Sequence, residues 1–80
     1  MTALYVLDVP ENTTVAKVAA EAGATVGKVG PYFEITSDGS IVIDRRATGC
    51  RHAVWYSCIA GVAGGRIVQH DKNALQVDPA

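Results

Sequence analysis

The longest apolar run in the chain, from Gly49 to Gly65, constrains the fold more than any other segment. It contains both cysteines and the only tryptophan of the 80 residues. The run predicts a helix that begins near Cys50 and ends at Gly64 and Gly65, because glycine can adopt the left-handed conformation that closes a helix. A helix that is apolar on all sides has to be buried on both sides. We therefore expect the rest of the chain to pack around it.

This predicted helix has two different surfaces. Projection at 100° per residue places small side chains along one stripe, which consists of Cys50, Ala53, Ser57 and Gly61. The opposite side carries His52, Trp55, Tyr56 and Ile59, which are bulky and largely apolar. Small residues allow close approach to another backbone, so the stripe is expected to pack inside the domain. The bulky side is expected to meet a second chain or a ligand, since aromatic residues are enriched at interfaces.

The remaining segments predict strands and one further helix. The predicted elements are a strand over 3–9, a helix from Val15 to Gly23, strands over 32–36 and 41–46, the helix described above and a strand over 66–70. Asp38 and Gly39 separate two β-rich runs and predict a hairpin turn between them. Residues 25–30 suit an irregular or edge segment. Residues 74–77 either continue a bulged strand or form a small hairpin, and residues 78–80 are expected to be frayed.

The order of these elements predicts a single α+β domain over residues 1–80. Strand, helix, strand, strand, helix, strand is the ferredoxin-like βαββαβ arrangement, with an extra C-terminal hairpin in one of the two alternatives. Two helices would then cover one face of a four-stranded antiparallel sheet. The uncovered face is the natural place for a contact between two copies of the chain.

Composition and charge narrow the classes of partner. Apolar residues make up 49% of the chain and charged residues 19%, which is apolar for so short a domain, so we expect a homo-oligomer. The net charge is −1 and no long basic run is present, which does not indicate a nucleic-acid partner. The sequence has no apolar run of the roughly 18 residues that span a membrane and no signal peptide. A cytoplasmic protein is therefore expected.

Cys50 offers the strongest catalytic alternative. At a helix N-terminus near Arg46 and Arg51 it would carry a larger thiolate fraction, with His52 or His70 as the base. An enzyme that uses Cys50 as a nucleophile is therefore one alternative function. Two cysteines eight residues apart in one helix lie about 12 Å apart, too far for a disulfide. Cysteine and histidine do not recur at the close spacing of a zinc site, so no metal and no cofactor are expected.

A second alternative comes from the segment Ala16 to Val29. With Ala19, Gly23 and Thr25 at matching places, it resembles the helix-turn-helix of lactose-repressor-type regulators. The resemblance covers under a fifth of the chain and implies a DNA-binding module. The segment departs from the pattern where bases would be read, because Gly27 and Gly30 would break the recognition helix.

Arg45, Arg46 and Arg51 form the only basic cluster in the sequence. Three converging guanidinium groups could hold a carboxylate or phosphate by bidentate contacts. The candidate ligand-binding residues are Arg45, Arg46, Arg51, His52, Trp55 and Tyr56. The sequence thus predicts a small, non-catalytic, self-associating binding or interaction module that takes a small anionic ligand, with the cysteine enzyme and the DNA-binding module as alternatives.

Overall fold

A computed structural model describes all residues from Met1 to Ala80. The elements are β1 (Thr2–Leu7), a 3₁₀ turn (Pro10–Asn12), α1 (Thr13–Glu21), β2 (Thr25–Val29), β3 (Tyr32–Ser37), β4 (Ile41–Asp44), α2 (Arg45–Thr48), α3 (His52–Ser57), β5 (Ile59–Ala63), β6 (Gly65–His70) and β7 (Ala74–Pro79). The strands form two antiparallel sheets, with orders β2-β3-β1-β5 and β4-β7-β6. No helix has the length and apolar character needed to cross a membrane.

The mixed α and β composition and the four-stranded antiparallel sheet agree with the sequence prediction, but the complete ferredoxin-like arrangement is not confirmed. A second sheet of three strands is present, and of the strand predicted over 41–46 it contains Ile41–Asp44, whereas Arg45 and Arg46 begin α2. The reason lies in β3, which pairs with β1 on one side and with β2 on the other. Because both edges of β3 are occupied, β4 has to pair elsewhere, and it pairs with β7.

The hairpin turn predicted at Asp38 and Gly39 is therefore wrong, and the turn lies at Gly30 and Pro31. Val29 pairs with Tyr32, which leaves a two-residue loop between β2 and β3. Gly30 has a φ of 56°, which suits the first position of a type II′ turn, while proline supplies the negative φ needed at the second. The segment over 25–30 is thus an edge strand followed by a turn.

The long helix predicted from Cys50 to Gly64 is also wrong. α3 spans only His52–Ser57, and the next residues, Ile59–Ala63, form β5. β5 occupies the second edge of β1, where Leu4 pairs with Val62. Those backbone hydrogen bonds across the sheet outweigh the helical tendency of a run that contains β-branched residues and Gly61.

The core lies between the two sheets and beneath the helices. The first sheet contributes Leu4, Val6, Phe33 and Ile35, the second contributes Ile41, Ile43, Leu75 and Val77, and α1 contributes Val15, Ala16 and Ala19. Trp55 of α3 is the largest fully buried side chain. The predicted strand over 3–9 and helix near Val15 are confirmed as β1, the strand between β3 and β5, and as α1, which packs on the core.

The C-terminal hairpin is the alternative that the structure confirms for residues 66–77. Asp71 shapes its turn, since its Oδ1 accepts hydrogen bonds from the backbone N–H of Asn73 at 2.9 Å and of Ala74 at 3.1 Å. The expected frayed tail is wrong, because β7 continues to Pro79 and the N–H of Ala80 donates to the carbonyl of Gly64 at 3.2 Å.

The helix-turn-helix resemblance does not describe the fold. Its first helix coincides with α1, but the recognition helix is replaced by the strand β2. Gly27 and the turn at Gly30 suit an extended strand and its hairpin. No helix in this segment could enter the major groove of DNA.

Candidate functional site

The two surfaces predicted for the second helix do not correspond to the buried and exposed sides of α3. Trp55 is fully buried, and its Nε1–H donates to the carbonyl of Asp71 at 2.6 Å. Ala53 and Ser57 of the small-residue stripe are exposed, and so are His52 and Tyr56. A core built from 80 residues gains most by burying its largest apolar side chain. The expectation that Trp55 faces a partner is therefore wrong.

His70 joins Trp55 and Tyr56 in an aromatic cluster beside α3. Its ring lies 5.7 Å from the Trp55 ring and 5.2 Å from the Tyr56 ring. Its Nε2 lies 3.3 Å from the carbonyl oxygen of Trp55. These contacts attach the β6–β7 hairpin to α3.

The three arginines of the predicted anion site have different surroundings. The guanidinium of Arg45 donates from Nη1 to the carbonyl of Cys50 at 3.2 Å and from Nε to the carbonyl of Lys72. It thereby ties α2 to the β6–β7 turn. Arg46 lies in the first turn of α2, where its backbone N–H donates to Oδ1 of Asp44 at 3.1 Å. Of the three, Arg51 alone lines a cavity, so joint binding of an anion by these residues stays a prediction.

That cavity has a volume of about 300 Å³ and lies between the start of α1 and the segment that joins α2 to α3. Its lining residues are Pro10, Glu11, Thr14, Thr48, Gly49, Cys50, Arg51 and Val54. Thr48 is buried and already satisfied, since its hydroxyl donates to the carbonyl of Arg45 at 2.6 Å and accepts from the N–H of Cys50 at 3.1 Å. The thiol of Cys50 is 3.7 Å from the carbonyl oxygen of Glu11.

Both cysteines are buried and free. Burial, followed by the electrostatic effect of the neighbouring Cys50 thiol, raises the pKa of Cys58 to about 11. The Cys58 thiol donates to the carbonyl of Trp55 at 3.0 Å. The histidines expected to serve Cys50 as a base do not contact it: His70 contacts Trp55, and His52 is exposed. His, Cys, Asp and Glu side chains do not gather into a group of three or more that could hold a metal ion.

The structure also shows a group of side chains outside the core, two of them exposed and three half-buried, that the sequence prediction did not select. The face of the four-stranded sheet directed away from the core carries Tyr5, Leu7, Val29, Tyr32 and Glu34. The alternation within residues 3–9 and 32–36 separates Tyr5 and Leu7 from Leu4, and Glu34 from Phe33. It does not place the two strands side by side, so their register was needed to bring these residues together.

Two antiparallel sheets around one core, with three short helices, define the class of this protein as a small α+β domain. No protein-family model matches the chain, and no curated protein matches it. A solved structure entitled a phenol hydroxylase–regulatory protein complex contains a chain with a similar fold. The TM-score is 0.78 at 14% sequence identity, and the match covers 99% of this chain and 98% of that chain. At this identity the similarity shows the fold.

Proposed function

We propose that this protein is a small non-catalytic regulatory component that acts by binding a larger enzyme of the hydroxylase kind. The observation that carries the proposal is the match of the fold over nearly the whole of both chains. Because 98% of the other chain is covered by a protein of 80 residues, that chain has about the same length. We take that chain to be the regulatory protein of the complex.

The hydrogen bonds made by the reactive side chains of the protein support this proposal. The indole of Trp55, the guanidinium of Arg45 and the thiol of Cys58 all bind backbone carbonyls of the same chain. These groups hold secondary-structure elements together. A protein built in this way suits a role in which its surface, and not a reactive side chain, acts on the partner.

The test is a titration of the purified hydroxylase component from the same organism. The rate of substrate hydroxylation is measured while this protein is added, with an unrelated protein of equal size as the control. We expect the rate to change at least severalfold and to reach a plateau at a fixed molar ratio, together with a complex that co-elutes in gel filtration. An unchanged rate and separate elution at a tenfold molar excess would contradict the proposal.

Two finer parts of the hypothesis stay predictions with their own measurements. Self-association is tested by light scattering, and a monomer at micromolar concentration would contradict it. Binding of a small anion is favoured by the cavity beside Arg51, and is tested by following amide chemical shifts around that cavity during a titration with inorganic phosphate. Loss of the response in Arg51→Ala is expected, and an equal response in both proteins would contradict a role for Arg51.

A further inference from the structure

Three apolar side chains form one row across the four-stranded sheet. Leu7 of β1 pairs with Tyr32 of β3, and Tyr32 pairs with Val29 of β2. Directly opposed residues of an antiparallel pair point to the same face, with Cβ atoms about 5 Å apart. Leu7 is 42% exposed and Val29 is 48% exposed. Tyr32 between them is half-buried, so the row is continuous and open to solvent at both ends.

The neighbouring row places a carboxylate beside these apolar groups. Tyr5 pairs with Glu34, and the Tyr5 hydroxyl donates to Oε2 of Glu34 at 2.9 Å. That hydrogen bond raises the pKa of the Tyr5 hydroxyl. The row ends in glycine on both sides, at Gly61 of β5 and at Gly27 of β2. Because neither glycine carries a side chain, no neighbouring side chain in this row covers Tyr5 or Glu34, and a partner could approach them closely.

The side chains of both rows lie outside the core. Leu4, Val6 and Ile35, which alternate with them along β1 and β3, are fully buried and face the second sheet. We name the outward-facing group of Tyr5, Leu7, Val29, Tyr32 and Glu34 the outer face. Tyrosine is enriched at protein interfaces, and the buried centre of an interface is more apolar than its rim.

The charge on the outer face indicates whether a second copy of the chain or a different protein binds there. Glu34 is its only charged residue, and the single ion pair in the structure, between Lys28 and Asp8, does not include it. Two copies of the outer face placed against each other would bury both Glu34 carboxylates, and the outer face supplies no cation to pair with either. A buried charge without a partner is strongly unfavourable. A different protein that presents a lysine or arginine avoids this cost and gains a charge-assisted hydrogen bond.

We propose that the outer face is the surface with which this protein docks onto its enzyme partner. The partner contributes apolar side chains that cover Leu7, Tyr32 and Val29, and a lysine or arginine that pairs with Glu34. This inference rests on the proposed function, because it requires that a partner enzyme exists. It adds the location of the contact and the chemistry of the partner's surface.

The first experiment measures the affinity of the purified hydroxylase for the wild-type protein and for Glu34→Gln by calorimetry at several salt concentrations. Glutamine keeps the size of glutamate and can still accept the Tyr5 hydrogen bond, but it carries no charge. We expect about tenfold weaker binding, the value for one charge-assisted contact. The salt dependence of the affinity should also become shallower. Unchanged affinity and an unchanged salt slope would contradict the assignment of Glu34.

The second experiment compares Val29→Asp with Val42→Asp as a matched control. Val42 is 47% exposed on β4, in the other sheet, so both changes place a charge at a similarly exposed strand valine. Circular dichroism first shows that both variants fold. We expect Val29→Asp to weaken binding at least thirtyfold, because it buries an unpaired carboxylate, and Val42→Asp to bind like the wild type.

The outcomes separate this inference from the proposed function. Binding of the wild-type protein and of Val29→Asp with equal affinity, or equal losses in Val29→Asp and Val42→Asp, would overturn the outer face as the docking site and leave the regulatory function standing. Failure of the wild-type protein to bind the hydroxylase would contradict both the docking site and the proposed function. A wild-type dimer that Val29→Asp dissociates would identify a second copy as the occupant and overturn the choice of an enzyme.

Discussion

Replacement of Trp55 by phenylalanine tests how much of the fold depends on one side chain. Trp55 is fully buried, and its Nε1–H donates to the carbonyl of Asp71 in the β6–β7 turn at 2.6 Å. The substitution keeps an aromatic ring but removes the donor and part of the volume. It should therefore loosen both the core and the attachment of the C-terminal hairpin.

The expected loss of unfolding free energy has two parts. Phenylalanine is smaller than tryptophan by about 40 Å³, which at roughly 24 cal/mol per Å³ of cavity gives about 1 kcal/mol. The carbonyl of Asp71 loses its donor, which adds about 1 kcal/mol. A total of about 2 kcal/mol is large for a domain whose whole stability is on the order of 4–12 kcal/mol. It corresponds to a fall in Tm of roughly 8–16 °C.

Urea unfolding followed by far-UV circular dichroism measures this loss, since the substitution removes the only tryptophan and with it the fluorescence signal. Tyr56→Phe is the control, because Tyr56 is the next residue of α3 but is 49% exposed. It should change the free energy of unfolding by less than about 0.5 kcal/mol. A loss below about 0.5 kcal/mol in Trp55→Phe, or equal losses in the two variants, would refute the reasoning.

Three further predictions concern a turn, a thiol and a carboxylate. Gly30→Ala should cost about 1 kcal/mol in urea unfolding because φ is 56° there, whereas Gly39→Ala, without a positive φ, should be nearly neutral; the reverse order would contradict the assigned turn. The Cys58 thiol should resist iodoacetamide at pH 8 until the protein unfolds. The pKa of this thiol rises from an ordinary 9.0 to about 11 on folding, so the unfolded chain loses the proton at a lower pH than the folded protein does. The free energy of unfolding should therefore fall as pH rises from about 9 to about 11. This fall should be absent in Cys58→Ala. Hydrogen bonds from the N–H groups of Asn73 and Ala74 lower the pKa of the Asp71 carboxyl. The contribution of Asp71 to stability is therefore complete above the ordinary pKa of 3.8 and is lost as pH falls through the pKa of the folded protein. In Asp71→Asn the urea midpoint should fall less steeply in acid.

Elements whose signals lie within their own segment could be predicted from the sequence. β1 is apolar on both alternating faces, and it lies between β3 and β5. α1 ends where Gly23 adopts a φ of 103°. The C-terminal hairpin was one of two alternatives that the sequence left open, and Asp71 within the same segment shapes its turn. In these cases local propensity and the final fold agree.

The pairing of the strands could not be predicted in the same way. Gly30 and Gly39 both lie between β-rich runs, and either could form the hairpin turn. The choice depends on β3, whose second edge is taken by β1, about thirty residues earlier in the chain. The same strand explains the division of the apolar run, because Ile59–Ala63 pairs with the remaining edge of β1. Periodicity within one segment does not report which distant edge is free.

The surface residues of the candidate site could not be predicted fully for the same reason, because they come from separate segments of the chain. The helical projection assigned the small-residue stripe to the interior and grouped Trp55 with His52 and Tyr56, whereas Trp55 is buried and the other two are exposed. Four of the five residues of the outer face were visible as alternating positions in two separate strands, and the fifth, Val29, lies in a third strand. Only the register, which sets Tyr5 opposite Glu34 and Leu7 opposite Tyr32, makes them one surface.

The strand register also shows where apolar side chains remain outside the core in this largely apolar chain. In the three-stranded sheet, Val42, Ile67 and Val68 are exposed. In the four-stranded sheet, Leu7 and Val29 are exposed on either side of the half-buried Tyr32, and none of these three belongs to the core cluster. A partner that covers them removes apolar surface from water without any rearrangement of the core. Polar substitutions in this row should therefore reduce binding while they leave the free energy of unfolding within about 0.5 kcal/mol of the wild type, which makes docking separable from folding in this chain.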